Sequence, residues 1–370
     1  MLYLAALLIG LSVLGALTTL LLSVHGVWLS WHSGRRRRGM RLQIRHMAWL
    51  SDDLLHLQLS HPWRWPLPRF AAGQFLTILA QPAGSRSLRR CYSLAAWQRW
   101  PRHYQLCIKR EPDGLLSNWL ATHARLGGYL QVLPPAGHFT LEDRHGPHLL
   151  LIAGGVGITP MRAMLHAWCA RPRARRLTLL YAGREQAGLA YHHEFLALAA
   201  RHPHFSYQPA LSRDTQAPPA WRGRIDSQRL AAVLEPRTQV FICAGEPLLK
   251  TTLAHLDALG VASERRHWEA FGAQTLGVGT GQFDLAWQGE ALSYDGQPSL
   301  LHALHEQGVA LPADCWGGHC GSCRVQCQGP VEWRQPAAVA LPAGQILACC
   351  CIPTGPLVLA PLLAASSADN

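Results

Sequence analysis

Three cysteines spaced Cys315-x4-Cys320-x2-Cys323, inside the glycine-rich run "CWGGHCGSCRVQC", constrain this chain more than any other feature. This is the plant-type [2Fe–2S] spacing, which takes its fourth thiolate from a distant position. Gly317, Gly318 and Gly321 let such a loop fold around a cluster and aim N–H groups at its sulfurs. A zinc site more often shows two C-x2-C pairs. A bacterial [4Fe–4S] run needs C-x2-C-x2-C-x3-C-P. Cys320, Cys323 and Cys327 imitate its end, but the first gap is wrong and Gln328 stands where proline belongs. Cys327 falls where a strand should leave the loop, and reads as a packed thiol. Cys349, Cys350 and Cys351 are the candidates for the fourth position. The 11 cysteines are odd in number and crowd toward the C-terminus. That pattern fits metal ligation in a reducing compartment, not a disulfide framework.

The opposite end of the chain differs in kind. Residues 2–24, "LYLAALLIGLSVLGALTTLLLSV", carry no charge. As a helix they would extend ~35 Å, enough to cross a bilayer core. Trp28 and Trp31 follow where an aromatic belt would sit, and then the run Arg35–Arg38. Basic residues beside a span stay in the cytoplasm, so the expectation is a single-pass inner-membrane anchor with the remainder cytoplasmic. A cleaved signal peptide fits poorly, because a basic n-region and an A-x-A site are both missing. The formal net charge is +12, carried almost wholly by arginine. No basic helix interleaved with aromatics points to nucleic acid, and none is expected as a partner.

The 370 residues divide by pattern. Residues 1–30 are expected as the transmembrane anchor and 31–40 as a basic juxtamembrane linker. From 41 to 146 short alternating strands and Pro/Gly/Trp turns predict a small antiparallel β-barrel. From 147 to 271 apolar strands such as "HLLLIAGG", "RLTLLYAG" and "QVFICAG" alternate with helical stretches, which predicts a doubly wound parallel sheet. Residues 272–281 read as a Gly-rich linker. Residues 282–365 begin with a hairpin, "FDLAWQGEALSYDG", followed by a helix, "SLLHALHEQG", and the cysteine loop.

Weaker motifs lie between. In "LLLIAGGVGITPMRAML" a strand runs into Gly154, Gly155 and Gly157 and then a helix. Glycines there let backbone N–H groups approach a pyrophosphate at a helix N-terminus. In "RRCYSLAA" Arg90 could pair with a phosphate and Tyr92 could offer a flat ring. In "EPDGLLSNWL" Gly114 and Ser117 sit at a predicted helix start, where an anion is favoured.

Taken in order, these parts resemble the ferredoxin–NADP reductase superfamily with a C-terminal plant-type ferredoxin domain. Phenylacetyl-CoA epoxygenase reductases, hybrid-cluster-protein reductases and the electron-transfer partners of fatty-acid desaturases are built this way. The resemblance covers nearly all of the chain after residue 41 and implies an antiparallel β-barrel flavin domain, an α/β doubly wound nucleotide domain and an α+β (β-grasp) ferredoxin domain; with the N-terminal transmembrane helix expected from the apolar run, the fold is multidomain. "RCYS" matches R-x-Y-S, which gives Arg90 a flavin phosphate, Tyr92 the isoalloxazine face and Ser93 the N5 region. "GLLS" puts Gly114 to Ser117 at the flavin pyrophosphate. "GGVGITP", including Thr159, resembles the nicotinamide-nucleotide loop, and "YAGRE" places Arg184 beside the adenosine. "CAGEPLL" stands where the family has C-G-P. Cys243 is kept near the nicotinamide, while Ala244 replaces the glycine and Leu248 or Leu249 the usual methionine. "HWEAF" fits H-x-E-x-F and puts Phe271 near the flavin. The family pattern L-x-C-x-x-x-P selects Cys349 as the fourth cluster ligand, with Cys315, Cys320 and Cys323.

The resemblance implies FAD, with FMN the lesser alternative, a [2Fe–2S] cluster and a pyridine nucleotide. "ALSRD" resembles the segment that binds a 2′-phosphate. A hydroxyl and a guanidinium fork, here Ser212 and Arg213, suit that group, so NADPH is expected ahead of NADH. The expected activity is an NAD(P)H-dependent reductase feeding an oxygenase. Because of the anchor, a membrane di-iron desaturase or hydroxylase comes first. A ring-hydroxylating or epoxidising oxygenase, a ferric or quinone reductase activity, and a non-catalytic redox sensor stand behind it.

Overall fold

The computed structural model describes residues 39–81, 88–112, 114–142, 146–170, 175–271, 279–313, 317–318, 321–334, 337 and 339–362. The expected membrane span and the Arg35–Arg38 run lie outside these residues, as do Cys315, Cys320 and most of the Gly-rich linker. None of the described helices is long and apolar enough to cross a membrane.

The first unit is antiparallel throughout. Its strands are β1 (Met40–Ser51), β2 (Leu54–Ser60), β3 (Phe75–Ala80), β4 (Leu88–Ser93), β5 (His103–Lys109) and β6 (Tyr129–Val132), with helix α1 (Leu115–His123) between the last two. The sheet order is β4-β3-β6-β1-β2-β5. A bridge from Leu94 to Leu106 joins its two edges and closes the barrel. Closure removes the unpaired edges that an open sheet would expose. Alternation puts Leu42, Ile44, Leu57, Leu59, Leu76 and Ile78 inside, and α1 adds Leu116 and Leu120 to that core.

The second unit reads β7 (His148–Gly154), α2 (Ile158–Cys169), β8 (Arg176–Gly183), α3 (His192–Arg201), β9 (Phe205–Leu211), α4 (Ser227–Val233), β10 (Gln239–Ala244), α5 (Glu246–Ala258) and β11 (Arg266–Ala270). All pairings are parallel, in the order β11-β10-β7-β8-β9. Strand order reverses between β7 and β10, so the crevice at their C-terminal ends is the topological switch point where such sheets take ligands. Residues 149–153 of β7 are wholly buried because both sheet faces are covered.

These two units share one core. Leu54, Ala72 and Cys107 of the barrel pack in the same cluster as Leu151, Met161 and Phe195 of the parallel sheet. Arg162 on α2 crosses the seam. Its guanidinium donates to the Ala95 carbonyl (2.8 Å) and to Gln105 Oε1 (3.0 Å) on the barrel side. Its Nε donates to Glu194 Oε2 (2.9 Å) on α3, and the group lies 4.2 Å over the Tyr191 ring. Tyr191 in turn meets His56 Nδ1 of the barrel at 2.9 Å. Burial, and next the Arg162 charge, push His56 down to about 4, so it stays neutral in the seam.

The third unit has β12 (Gln282–Trp287), β13 (Glu290–Asp295), α6 (Leu300–Glu306), β14 (Arg324–Gln328), β15 (Val331–Trp333), β16 (Gln345–Leu347), β17 (Cys351–Pro353) and β18 (Leu357–Pro361). Its mixed sheet runs β13-β12-β18-β14-β16, with β12 and β18 parallel and α6 packed on it. A two-stranded ribbon, β15-β17, stands beside it. This is the α+β arrangement expected of the C-terminal segment.

Candidate functional site

The crevice at the switch point is built from glycines. β7 ends at Gly154, a tight turn takes Gly155 to Gly157, and α2 begins at Ile158. A Cβ on Gly157 would stand 2.1 Å from the Cys243 carbonyl oxygen, so β10 can approach only because that position is bare. Gly155 is left-handed, at φ +54, and a Cβ there would meet nothing within 4 Å. The loop therefore presents open backbone at the start of α2, where the helix dipole favours an anion. Thr159 Oγ1 closes the turn by donating to the Val156 carbonyl (3.0 Å). Tyr181 does the same to the Gly155 carbonyl (3.1 Å).

Ala244 occupies a position where a glycine was expected. The structure shows how the methyl is accommodated: a Cβ on Gly154 would come within 3.1 Å of the Ala244 Cβ and 2.7 Å of Leu248 Cδ2. The missing side chain on β7 makes room for the extra one on β10. Cys243 is fully buried. Desolvation, and next the nearby Glu269, push its thiol well above the ordinary range.

Across the crevice the end of β4 brings Arg90, Tyr92 and Ser93. Arg90 is exposed. Tyr92 is half-buried against the barrel core, and burial raises its phenol above the usual range. Ser93 is buried, and its hydroxyl lies 3.5 Å from Glu269 Oε2. Gly114 forms the N-cap of α1. A Cβ on it would strike Ser117 Oγ at 2.2 Å. Ser117 donates to the Gly114 carbonyl and accepts from the Glu111 N–H, both at 3.2 Å, which holds the turn into α1. Phe271 follows β11 and packs on the shared core, its N–H bonded to the Ala244 carbonyl.

Glu269 was not singled out from the sequence, although it is the central residue of "HWEAF". Its backbone partner in the sheet is Cys243, and its side chain faces Ser93. Burial pushes its carboxyl up to about 8, against the lowering effect of the Ser93 hydroxyl. At neutral pH it holds its proton. A buried acid thus stands between the residue expected at the flavin and the one expected at the nicotinamide.

Further along the sheet, Arg184 follows β8 and Ser212 and Arg213 follow β9; all three are exposed. Backbone bonds from Ser212 to the Gly183 carbonyl (3.1 Å) and from Arg213 to the Arg184 carbonyl (2.9 Å) hold the two strand ends side by side. Two guanidiniums and a hydroxyl therefore share one exposed corner, a donor set that suits a phosphomonoester.

In the third unit Cys323 and Cys349 come together although they are far apart in sequence. The Ala348 N–H bonds the Cys323 carbonyl (3.1 Å), the two thiols are hydrogen-bonded, and the Gly318 N–H points at the Cys349 sulfur. Gly318 and Gly321 take positive φ, 79° and 72°, as a loop curling around a centre requires. Cys350 Sγ lies 3.6 Å from Cys349 Sγ. Cys351 enters β17 opposite Trp333, and Cys327 sits in β14 opposite Leu359 with its side chain in the core. The described half of the thiolate set, with an N–H aimed at sulfur, fits a [2Fe–2S] cluster. The other two expected ligands, Cys315 and Cys320, lie outside the described residues.

Comparison with known proteins agrees with this division. Residues 41–141 match an oxidoreductase FAD-binding domain, 151–253 an oxidoreductase NAD-binding domain, and 286–354 a 2Fe-2S iron-sulfur cluster binding domain. The chain is 30% identical to the ferredoxin reductase component of 3-ketosteroid-9-alpha-monooxygenase from Mycobacterium tuberculosis, covering 69% of this chain and 74% of that one. It is 31% identical to phenoxybenzoate dioxygenase subunit beta from Ectopseudomonas oleovorans, over 77% and 84%. The solved structure of phthalate dioxygenase reductase superposes with a TM-score of 0.62 at 28% identity, covering 87% of this chain and 98% of that chain.

Proposed function

The chain belongs to the ferredoxin–NADP reductase superfamily, among its flavin reductases with a [2Fe–2S] domain, and we propose that it is the electron-supplying component of a membrane-held oxygenase. It is an NAD(P)H-dependent oxidoreductase, and its cofactors are FAD, a [2Fe–2S] cluster and a pyridine nucleotide. Flavin accepts a hydride as an electron pair and releases electrons singly, which links the two-electron nicotinamide to a one-electron cluster.

The protein's own residues supply position and exclusion. Arg90, Tyr92 and Ser93 on the barrel, with Gly114 and Ser117 at α1, are the residues to hold the flavin. Gly154, Gly155, Gly157 and Thr159 are those to hold the nucleotide, with Cys243 packed behind them. Glu269, protonated at neutral pH, keeps a proton at its carboxyl beside the Ser93 hydroxyl, and no formal charge is buried there. Cys315, Cys320, Cys323 and Cys349 are the cluster's thiolates. The observation that carries this reading is the switch-point crevice itself: barrel and parallel sheet share one core, so the two cofactor-binding faces are held in a fixed relation.

NADPH is the preferred donor in this reading, supported by Arg184, Ser212 and Arg213 at one exposed corner. Arg213→Ala should raise KM for NADPH at least tenfold and leave KM for NADH within twofold. Equal effects on both would remove the assignment.

The membrane part rests on residues 2–24 and Arg35–Arg38. A tether raises the local concentration of reductase at its acceptor without new contacts. A desaturase or hydroxylase of fatty acyl chains suits that location. A ring-hydroxylating oxygenase is the second reading, favoured by the dioxygenase and monooxygenase relatives. Full-length protein in liposomes, given NADPH and each candidate oxygenase in turn, tests the assignment by product formation. Rapid ferricyanide reduction with no oxygenase supported would leave the reductase and remove the proposed acceptor class.

A further inference from the structure

Three tryptophans lie open to solvent in two neighbouring loops of the barrel. Trp63 is 73% exposed, Trp65 47% and Trp100 65%. Arg64, Arg69, Arg99 and Arg102 are exposed beside them. Residues 61–70 and 97–103 contain no Asp or Glu. Apolar side chains exposed singly are ordinary, but three indoles together with four guanidiniums mark an interaction surface.

The two loops form one built patch. The Leu67 N–H bonds the Pro101 carbonyl at 2.8 Å, and the Arg69 guanidinium lies 4.4 Å over the Trp100 ring. His61 stacks on Trp65 with ring centroids 5.2 Å apart and planes within 6°. A turn from the His61 carbonyl to the Arg64 N–H (2.8 Å) shapes the tip, where Arg64 takes a left-handed φ of 55°. A non-glycine residue held in that region carries backbone strain. Arg69 and Arg99 also line a cleft with Phe70, Gln74 and Trp97.

Strand register places this patch. Gln43 of β1 pairs with Ser60 of β2, and Ser60 pairs with His103 of β5. The entry of β1, the exit of β2 and the entry of β5 therefore lie at one end of the barrel. Ladder pairing breaks at Arg45, between Ile44 and His46. Its guanidinium reaches the Pro62 carbonyl at 2.6 Å and ties β1 to the tryptophan loop. The described chain begins at this same end, with Gly39 just ahead of β1.

We infer that Trp63, Trp65 and Trp100, with Arg64, Arg69, Arg99 and Arg102, form a surface that lies on an anionic lipid bilayer and orients the reductase against it. Indole rings settle at the headgroup level, and guanidiniums pair with lipid phosphates there. The first strand starts only two residues after Arg38, so a span ending at the arginine run would hold this end of the barrel next to the headgroups. The orientation of this barrel end toward the bilayer rests on the membrane reading of residues 2–24. The surface chemistry does not, and the test separates the two.

Full-length protein is mixed with vesicles of phosphatidylcholine and phosphatidylglycerol whose acyl chains are brominated, and tryptophan quenching is compared with that of W63A/W65A/W100A. The expected result is a quenched component lost in the triple variant, with ferricyanide reduction unchanged. In all-phosphatidylcholine vesicles that component weakens severalfold. Quenching retained in the triple variant reports Trp28 and Trp31, and so the span. Equal quenching of wild type and variant overturns the surface, whatever the span does. A lost component with no residual quenching keeps the surface and removes the span. In native membranes, p-benzoylphenylalanine replacing Trp63 should crosslink to phospholipid. Adducts with protein alone would overturn the lipid assignment in favour of a partner protein.

Discussion

Ser93 on the barrel and Glu269 on the parallel sheet, 176 residues apart in sequence, face each other at 3.5 Å in the buried crevice between the two units. The carboxyl is displaced upward to about 8, chiefly by desolvation.

That displacement has a definite sign in stability. Glu269 folded binds its proton more tightly than Glu269 unfolded, whose ordinary value is 4.5. Between these values the folded state holds the extra proton, so stability falls as pH rises from about 5 to about 8. Glu269→Gln should remove this slope in thermal melts taken across that range. Stopped-flow flavin reduction by NAD(P)H should show an inflection near pH 8 in the wild type that the variant lacks. An unchanged inflection would assign it to another group.

Arg162 closes the seam between barrel and sheet. Burial opposes the charge of Glu194, but hydrogen bonds from His166 and Arg162 hold its carboxyl below the usual range. Arg162→Met should cost ~3 kcal/mol in denaturant unfolding, because it strands that partly buried carboxylate and two barrel acceptors. Adding Glu194→Gln should recover a measurable part. Additive losses would show that the pair is not coupled.

The two glycines of the nucleotide loop should respond unequally. Gly155→Ala keeps open space around its Cβ and costs about 1–2 kcal/mol for its left-handed backbone. Gly157→Ala drives a methyl into the Cys243 carbonyl, and a backbone atom cannot swing aside. Melting temperature and KM for NAD(P)H should be disturbed far more by the second change.

Cys349→Ser should abolish the [2Fe–2S] absorption and EPR signal. Cys327→Ser, Cys350→Ser and Cys351→Ser should leave the signal in place, although Cys351→Ser puts a hydroxyl into a buried strand and should lower stability. Loss of the signal with Cys350→Ser instead would shift the ligand register by one.

The sequence by itself determined what depends on neighbours along the chain. The cysteine spacing, the glycines after β7, the strand-and-turn rhythm of the first unit and the strand–helix alternation of the second are local patterns, legible because short-range sterics and periodicity produce them. The tertiary structure decided what depends on register across sheets. "HWEAF" offered no sign that its glutamate would lose its solvent to a serine on another unit. Ala244 looked like a misfit until Gly154 was seen to make room for it. The tryptophans of "HPWRWPLPRF" were only turn residues until Gln43, Ser60 and His103 aligned the barrel end from which they project. In each case the deciding quantity is a distance between residues far apart in sequence, and closing such distances is what packing the strands into sheets does.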